Sequence, residues 1–502
     1  MDDSREGQPE QAAPTVRVTS RPKSIYHLSG GGDSVTPRFT VALLWFGVFS
    51  YMTMEMMVAP IVPIVQHELG MSPAVAAWML TGLMVVGAVS LPLSTRYADI
   101  ADKKNVFFII LGVSGVGAVL AAVAPSASLL IAGNMLQGVG IAVVPIAIGI
   151  ARDSQPLARA KFATTAFVVA GGAGSAVAYV AVGPIVKHLH YSYIYWIPTA
   201  VILAVIVLGA KGLPACPPVR TGRVDWLGAA LLAVALTSFL LGLTLASTEG
   251  WGSAIVLGLL ILTVALATVF VVVERRVDSP LVDLRGIAER EVAGVMGLSL
   301  LRAACAYTMY LVLPTVALLP LATGYGMGGD ASTAGLVLLP YALVILVAGP
   351  TASRLEPVLG RRGVMVLSGV LMTLGAVPLL FIGSAPWTPY LTAAILGAGI
   401  AMSLTQGLNT IVQVVPNDRV ASTSGTTYVL QSVGGVTGGQ IAAGILAVGM
   451  VAGGAPTWGG FLGNVVLLLA LGLAAIGLSF TLKTKRAAAS TGRDTDPVSA
   501  PA

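Results

Sequence analysis

Fourteen apolar stretches, each long enough to cross a lipid bilayer, fill this 502-residue chain between two polar ends. A spanning helix needs about 20 mostly apolar residues, and it satisfies its own backbone N–H and C=O groups where no water can. The stretches run near 39–66, 74–94, 106–124, 128–150, 162–186, 193–212, 224–246, 252–273, 292–322, 332–352, 363–383, 387–414, 421–450 and 459–482. Apolar residue types make up 56% of the chain and charged ones only 10%, which excludes a water-soluble domain. The 59 glycines, many inside the runs, point to close-packed helices and not to a barrel. The expectation is an all-α polytopic membrane protein.

Basic residues in short loops concentrate on the cytoplasmic side of a membrane, so loop charge tests the count independently. The even-numbered loops hold Arg96, Lys103 and Lys104; Arg152, Arg159 and Lys161; Lys211, Arg220 and Arg223; Arg275, Arg276, Arg285 and Arg290; Arg354, Arg361 and Arg362; and Arg419. The odd-numbered loops hold only Lys187. Residues 1–38 and 483–502 are polar, basic and rich in Pro and Ser, and read as disordered cytoplasmic tails. Trp78, Trp251, Trp387 and Trp458 fall at the opposite ends, as interfacial anchors do. The loops flanking 224–273 are both basic, so charge alone allows either two crossings or a surface hairpin there. Two uncharged runs of spanning length favour crossing.

Other chemistries lack their residues. The net charge of +6 comes without an aromatic-interleaved basic patch, so no nucleic acid is expected as partner. Cys216 and Cys305 are too few for a disulfide framework. No Gly precedes a Lys, which removes the phosphate-binding loop of ATP-driven pumps, and no H-E-x-x-H or Ser/His/Asp set is visible. His188 and His190 have no carboxylate or Cys close in sequence and read as part of an aromatic interfacial belt. No enzyme activity, cofactor or metal is expected. The expected partners are the bilayer, protons and a small-molecule substrate, with the chain acting as a monomer.

The chain also repeats itself. Lys103-Lys104 matches Arg361-Arg362 at an offset of 258, Gly140-Ile141-Ala142 matches Gly399-Ile400-Ala401 at 259, and Arg159 matches Arg419 at 260. Such duplications mark transporter folds. The repeat assigns 39–212 and 292–482 to two six-helix halves, with 213–291 a linker carrying two inserted helices near 224–246 and 252–273.

Two six-helix halves, each with a basic loop between its second and third helices, resemble the major facilitator superfamily. The inserted pair narrows the resemblance to its fourteen-helix drug/proton antiporters. WMLTGLMVVGAVSLPLSTRYAD from Trp78, VDWLGAALL from Val224 and VVVERRVDSPLVDL from Val271 look like the corresponding stretches of that family. The family's G-x-x-x-D-R-x-G-R-K loop reads TRYADIADKK here: Asp99, Lys103 and Lys104 are kept, while Thr95, Ile100 and Asp102 depart. The resemblance implies a cytoplasmic gate built from Asp99, Lys103, Lys104, Arg361 and Arg362; positive-inside topology alone would also explain the cations. The family's Arg in helix 4 is replaced by Asn134, in NMLQGVG, and of its helix 5 G-P-x-x-G-G motif only Gly183 remains, in AYVAVG.

Only two charged residues, Glu55 and Arg302, lie deep inside the runs. A charge at bilayer depth costs roughly 2.5 to 3.5 kcal/mol on insertion scales unless it faces a polar cavity or a partner. Both are therefore candidates for proton coupling. Glu55 stands where the family carries an acidic residue, and a desolvated carboxyl exchanges protons readily. The two residues enter from the same side and differ in depth by roughly 9 Å if their helices are straight, so pairing is expected in one conformational state only. Of Met52, Met54, Met56 and Met57, about half should line a cavity, with Met52 the candidate. Asn134, Gln137, Gln406, Asn409 and Gln431 are candidate polar contacts there; helix-to-helix hydrogen bonds would explain them equally well.

The sequence thus reads as a proton-coupled secondary transporter that exports amphipathic small molecules, such as drugs, antibiotics or toxic metabolites, from the cell by alternating access. One alternative is a transporter of an anionic metabolite or lipid with Arg302 as the anion's contact. An alternative from another class is a channel or a transport-inactive receptor.

Overall fold

The computed structural model describes residues 37–155, 157–216, 225–277, 289–415, 420–448 and 456–482. Both expected tails lie outside these residues, except Pro37 and Arg38, which open the first helix instead of closing the tail. The described residues contain no β-strand. In the first half, α1 is Pro37–Glu68, α2 Trp78–Ile100, α3 Lys103–Ala122, α4 Ala127–Ser154, α5 Leu157–His188 and α6 Tyr193–Gly212. The inserted pair is α7 (Trp226–Glu249) and α8 (Ala254–Glu274). In the second half, α9 is Arg290–Leu318, α12 Thr388–Val414, α13 Val420–Val448 and α14 Trp458–Ser479.

The remaining helices, α10 and α11, share one helical run, Ala331–Phe381. Its 51 residues would extend about 76 Å as a single rod, more than twice the hydrocarbon core, so it holds two crossings. The break falls at Gly360, whose φ of 71° suits glycine and few other residues; α10 precedes it and α11 follows. Where the sequence suggests a basic loop, one glycine suffices, and Arg354, Arg361 and Arg362 sit on helix ends. The helix α4 is likewise interrupted, by a 3₁₀ segment over Gly138–Ala142.

The repeat seen in the sequence governs the packing. In the first half α1 packs on α5 and α6, α3 on α4 and α6, and α2 on α4; in the second, α9 packs on α13 and α14, and α11 and α10 on α12 and α14. A shift of eight helices maps one set onto the other. The halves meet along two crossed seams, α2 against α13 and α5 against α10, with α1 against α9 between them. Each half has its own apolar core, the first built around Tyr51, Met54 and Phe167, the second around Met309, Leu338 and Phe461.

The inserted helices pair with each other along their length, and α7 also packs on α2 and α13. Both are long and apolar enough to cross a membrane, and α7 lies along the α2–α13 seam, with Leu240 buried and Leu236 half-buried beside Leu83, Met84 and Val436. The helix α8 has a mean hydropathy of 3.0 with 11% of its span buried, the profile of a helix facing lipid. Trp251, Trp387 and Trp458 are exposed at the ends away from the basic segments, whereas Trp78 turns inward and its Nε1 donates to Thr244 Oγ1 at 2.9 Å.

Candidate functional site

A helix buried in a bilayer can keep an ionisable side chain only by turning it toward protein or water, and α1 and α9 do this toward each other. Glu55 on α1 retains accessible surface although α5, α9 and α10 surround it, so it borders an internal space between the halves. The Tyr51 hydroxyl, one turn earlier, interacts with its carboxyl without reaching hydrogen-bond geometry and has no other partner. Arg302 on α9 is 4% exposed; its Nη2 donates to Gln431 Oε1 on α13 at 2.6 Å, and its Nε has no acceptor. No ion pair joins Glu55 to Arg302 in this conformation, yet the Tyr341 hydroxyl on α10 lies within electrostatic reach of both.

Tyrosines fill the ground between the two charges. Tyr307 and Tyr310 on α9 meet edge to face at 5.4 Å, and Tyr310 meets Tyr341 in the same manner at 5.4 Å. Tyr179 on α5 points its hydroxyl at Met56 Sδ, 3.5 Å away, and Tyr428 on α13 lies within reach of Arg302. Rings in such T-shaped arrangements hold a fixed shape at low conformational cost. This set escapes the sequence reading because a tyrosine in a membrane chain is by default an interfacial anchor. The missed signal is position: Tyr51, Tyr179, Tyr307, Tyr310 and Tyr341 lie mid-run, far from either end.

The other candidate residues separate into three groups. Met52 and Met56 keep accessible surface, Met52 beside Gly171 of α5, while Met54 and Met57 are buried in the first core. Asn134 and Gln137 are fully buried inside the first half, where Gln137 Nε2 donates to Asn134 Oδ1 at 3.2 Å, and neither has surface on the shared space. Gln406 is also fully buried, in the second half, and neither its Nε2 nor its Oε1 has a partner. Asn409 lies nearer the basic end and donates through Nδ2 to Ser353 Oγ at 3.1 Å; one turn on, Gln413 donates to Glu356 at 3.0 Å. Both bonds tie α12 to α10 within the second half.

Each of the four gate cations is held within its own half. Lys103 pairs with Asp153 at the end of α4, and Lys104 donates to the Ala210 carbonyl at the end of α6, 2.9 Å away. Arg361 Nη1 lies 3.6 Å from Glu291 Oε2 at the start of α9, and Arg362 stacks over Phe480 at the end of α14, 4.2 Å from the ring centroid. Lys104 and Arg362 thus reach the ends of α6 and α14, which are counterparts in the repeat. Asp99 lies in the last turn of α2, and its side chain is outside the described residues. Asp102, where the family has Gly, caps α3 by accepting from Lys104 N at 2.9 Å and also binds Cys216 N at 3.1 Å, holding the start of the linker against the bundle. Folding also brings Glu68 to His190, at 3.4 Å, a carboxylate that sequence distance concealed; no group of three metal-ligating side chains occurs among the described residues.

Two crossed six-helix halves that meet along α1 and α9 define the architecture, and comparison with known proteins identifies its family. The family described as Major Facilitator Superfamily matches residues 44–226 and 215–439. The chain belongs to that superfamily. It is 28% identical over 433 residues to an uncharacterized MFS-type transporter of Mycobacterium tuberculosis, covering 83% of this chain but 60% of the relative's length. It is 25% identical over 434 residues to the lincomycin resistance protein LmrB of Listeria monocytogenes, covering 84% of this chain and 89% of LmrB. Among solved structures, the nucleoside transporter NupG superposes with a TM-score of 0.63 over 88% of this chain and 99% of NupG, at 13% identity, a likeness of fold alone.

Proposed function

We propose that this protein is a proton-coupled secondary transporter of the cell membrane that exports amphipathic small molecules by alternating access, with both termini in the cytoplasm. The observation that carries the reading is Glu55: a carboxyl on a central helix, bordering a space shared by both halves, with a tyrosine hydroxyl and no cation beside it. Such a group can exchange a proton for a ligand, and the seams around it supply the moving parts. Export of drug-like compounds is supported by the likeness to LmrB, whose name records lincomycin resistance.

In vesicles with an imposed proton gradient, Glu55→Gln is expected to abolish uphill export while leaving counterflow of saturating substrate, and Glu55→Asp to keep part of the activity. Uphill export by the Gln variant would remove Glu55 from the coupling. Orientation rests on the alternating loop charges: cysteines at Ser126 and Ser384 should react with an impermeant thiol reagent outside intact cells, and one at Ser154 should not. Labelling only at Ser154 would reverse the topology.

A further inference from the structure

We propose that the space between Glu55 and Arg302 binds small molecules carrying a positive and a negative charge on one aromatic body, with the anionic group seated at Arg302 and the cationic group at Glu55. The inference rests on the transporter reading and names its substrate class.

Arg302 is nine-tenths buried; among the described residues its single hydrogen bond goes to a neutral amide, and its Nε is without an acceptor. Its electrostatic neighbours are the phenols of Tyr310, Tyr341 and Tyr428, with no carboxylate among them. A buried guanidinium without an anion is costly, and arginine cannot relieve the cost by losing its proton. Among the described residues Glu55 likewise faces tyrosines and no cation. Glutamate has an escape, since a proton neutralises it.

The two charges flank one tyrosine cluster: the Tyr341 hydroxyl is within electrostatic reach of both, and its ring meets Tyr310 edge to face. They also sit on opposite halves, Glu55 on α1 and Arg302 on α9. A ligand bearing both signs satisfies both residues at once and enters hydrocarbon depth with no net charge. A ligand with only an anion still satisfies Arg302, while Glu55 takes a proton. One with only a cation leaves Arg302 stranded. The edge-to-face rings of Tyr307, Tyr310 and Tyr341 offer faces and edges to a flat body between the charged ends. The preferred order is therefore zwitterion, then anion, then cation.

Three naphthalene compounds test this order: naphthylalanine carries both charges, naphthylpropionate the anion alone and naphthylethylamine the cation alone. Calorimetric titration of the purified full-length protein in lipid nanodiscs should show naphthylalanine binding at least about tenfold tighter than naphthylpropionate, and naphthylethylamine weakest. Glu55→Gln should erase the advantage of naphthylalanine over naphthylpropionate, and Arg302→Gln its advantage over naphthylethylamine. The ranking on the unmodified protein decides the matter even if a variant fails to fold. Naphthylethylamine binding as tightly as naphthylalanine, a ranking unmoved by both variants, or no binding of any of the three would overturn the proposal. Failure of the ranking with proton-driven export of a cationic dye intact would leave the transporter reading standing. The ranking upheld without proton-driven movement would do the reverse.

Discussion

Arg302 and Gln431 form the contact on which the interior charge of the second half depends. A hydrogen bond to a charged group contributes roughly 1.5 to 3 kcal/mol, and among the described residues it is the guanidinium's only one. Gln431→Leu is expected to lower stability by about 2 kcal/mol in thermal unfolding of the purified protein. Adding Arg302→Gln should recover part of that loss, since the stranded charge is then gone. Strictly additive losses would mean that the bond does not set the cost. At this scale the sequence exposed Glu55 and Arg302, because a lone charge in an apolar run stands out by itself. It could not separate Gln431, which meets Arg302 from a helix 129 residues away, from Asn134 and Gln137, which bond each other one turn apart and leave Asn134 Nδ2 and Gln137 Oε1 without a partner among the described residues. All three are amides within apolar helices, and hydropathy does not distinguish a bond within one helix from a bond between two.

Among the elements, the first turn of α10 has the most to lose from a single side chain. Asp330 caps it: Oδ1 accepts from Thr333 N at 3.0 Å, and the Asp330 backbone N–H donates in return to the Thr333 hydroxyl. The backbone bond from Thr333 holds the Asp330 carboxyl below the usual aspartate range. A carboxyl whose folded pKa is depressed stabilises the fold above its unfolded pKa, and the contribution disappears as pH falls through the lowered value. Asp330 is exposed, so solvent screens most of the charge contribution and the capping bond dominates. Asp330→Ala should cost about 1 kcal/mol at neutral pH, and the gap from wild type in thermal midpoint should close in acid. A gap that persists unchanged in acid would assign the effect to something other than the ionised cap. Most helix positions were legible in the sequence, since a bilayer fixes their length and apolar content, but α2 runs to Ile100, past the expected 94, and α10 to the break at Gly360, past the expected 352. The breaks were not: the 3₁₀ segment in α4 and the turn at Gly360 follow from local geometry that hydropathy does not record.

For the whole molecule, the two seams decide which way the interior opens. At the end away from the basic segments, Gly183 of α5 lies directly against Ser332, and Gly335 of α10 against the Tyr179 backbone; a Cβ at either position would overlap the facing chain. Nearer the middle, Gly172 lies against Leu346. On the second seam, Gln440 Nε2 donates to the buried Thr81 hydroxyl at 3.1 Å. The halves are thus closed at the end opposite the basic segments, while Met52 and Glu55 keep accessible surface beneath that closure. Gly183 is the last glycine of an otherwise eroded motif, and its place on the seam gives it a conformational role. Overpacking a tight contact costs typically 1 to 3 kcal/mol, and about 2 kcal/mol disfavouring this state would shift a two-state ratio roughly thirtyfold. In the Gly183→Val variant, a cysteine replacing Met52 should therefore react more slowly with a thiol reagent supplied from the basic side. A cysteine replacing Thr81, sealed in the wild type, should become reactive from the opposite side, because opening one crossed seam opens its counterpart. The two native cysteines are buried and give little background. Slower reaction at position 52 without faster reaction at 81 would mean that the valine merely distorts α5. Reciprocal change at both positions would identify the glycine contact as part of the equilibrium between the two facings.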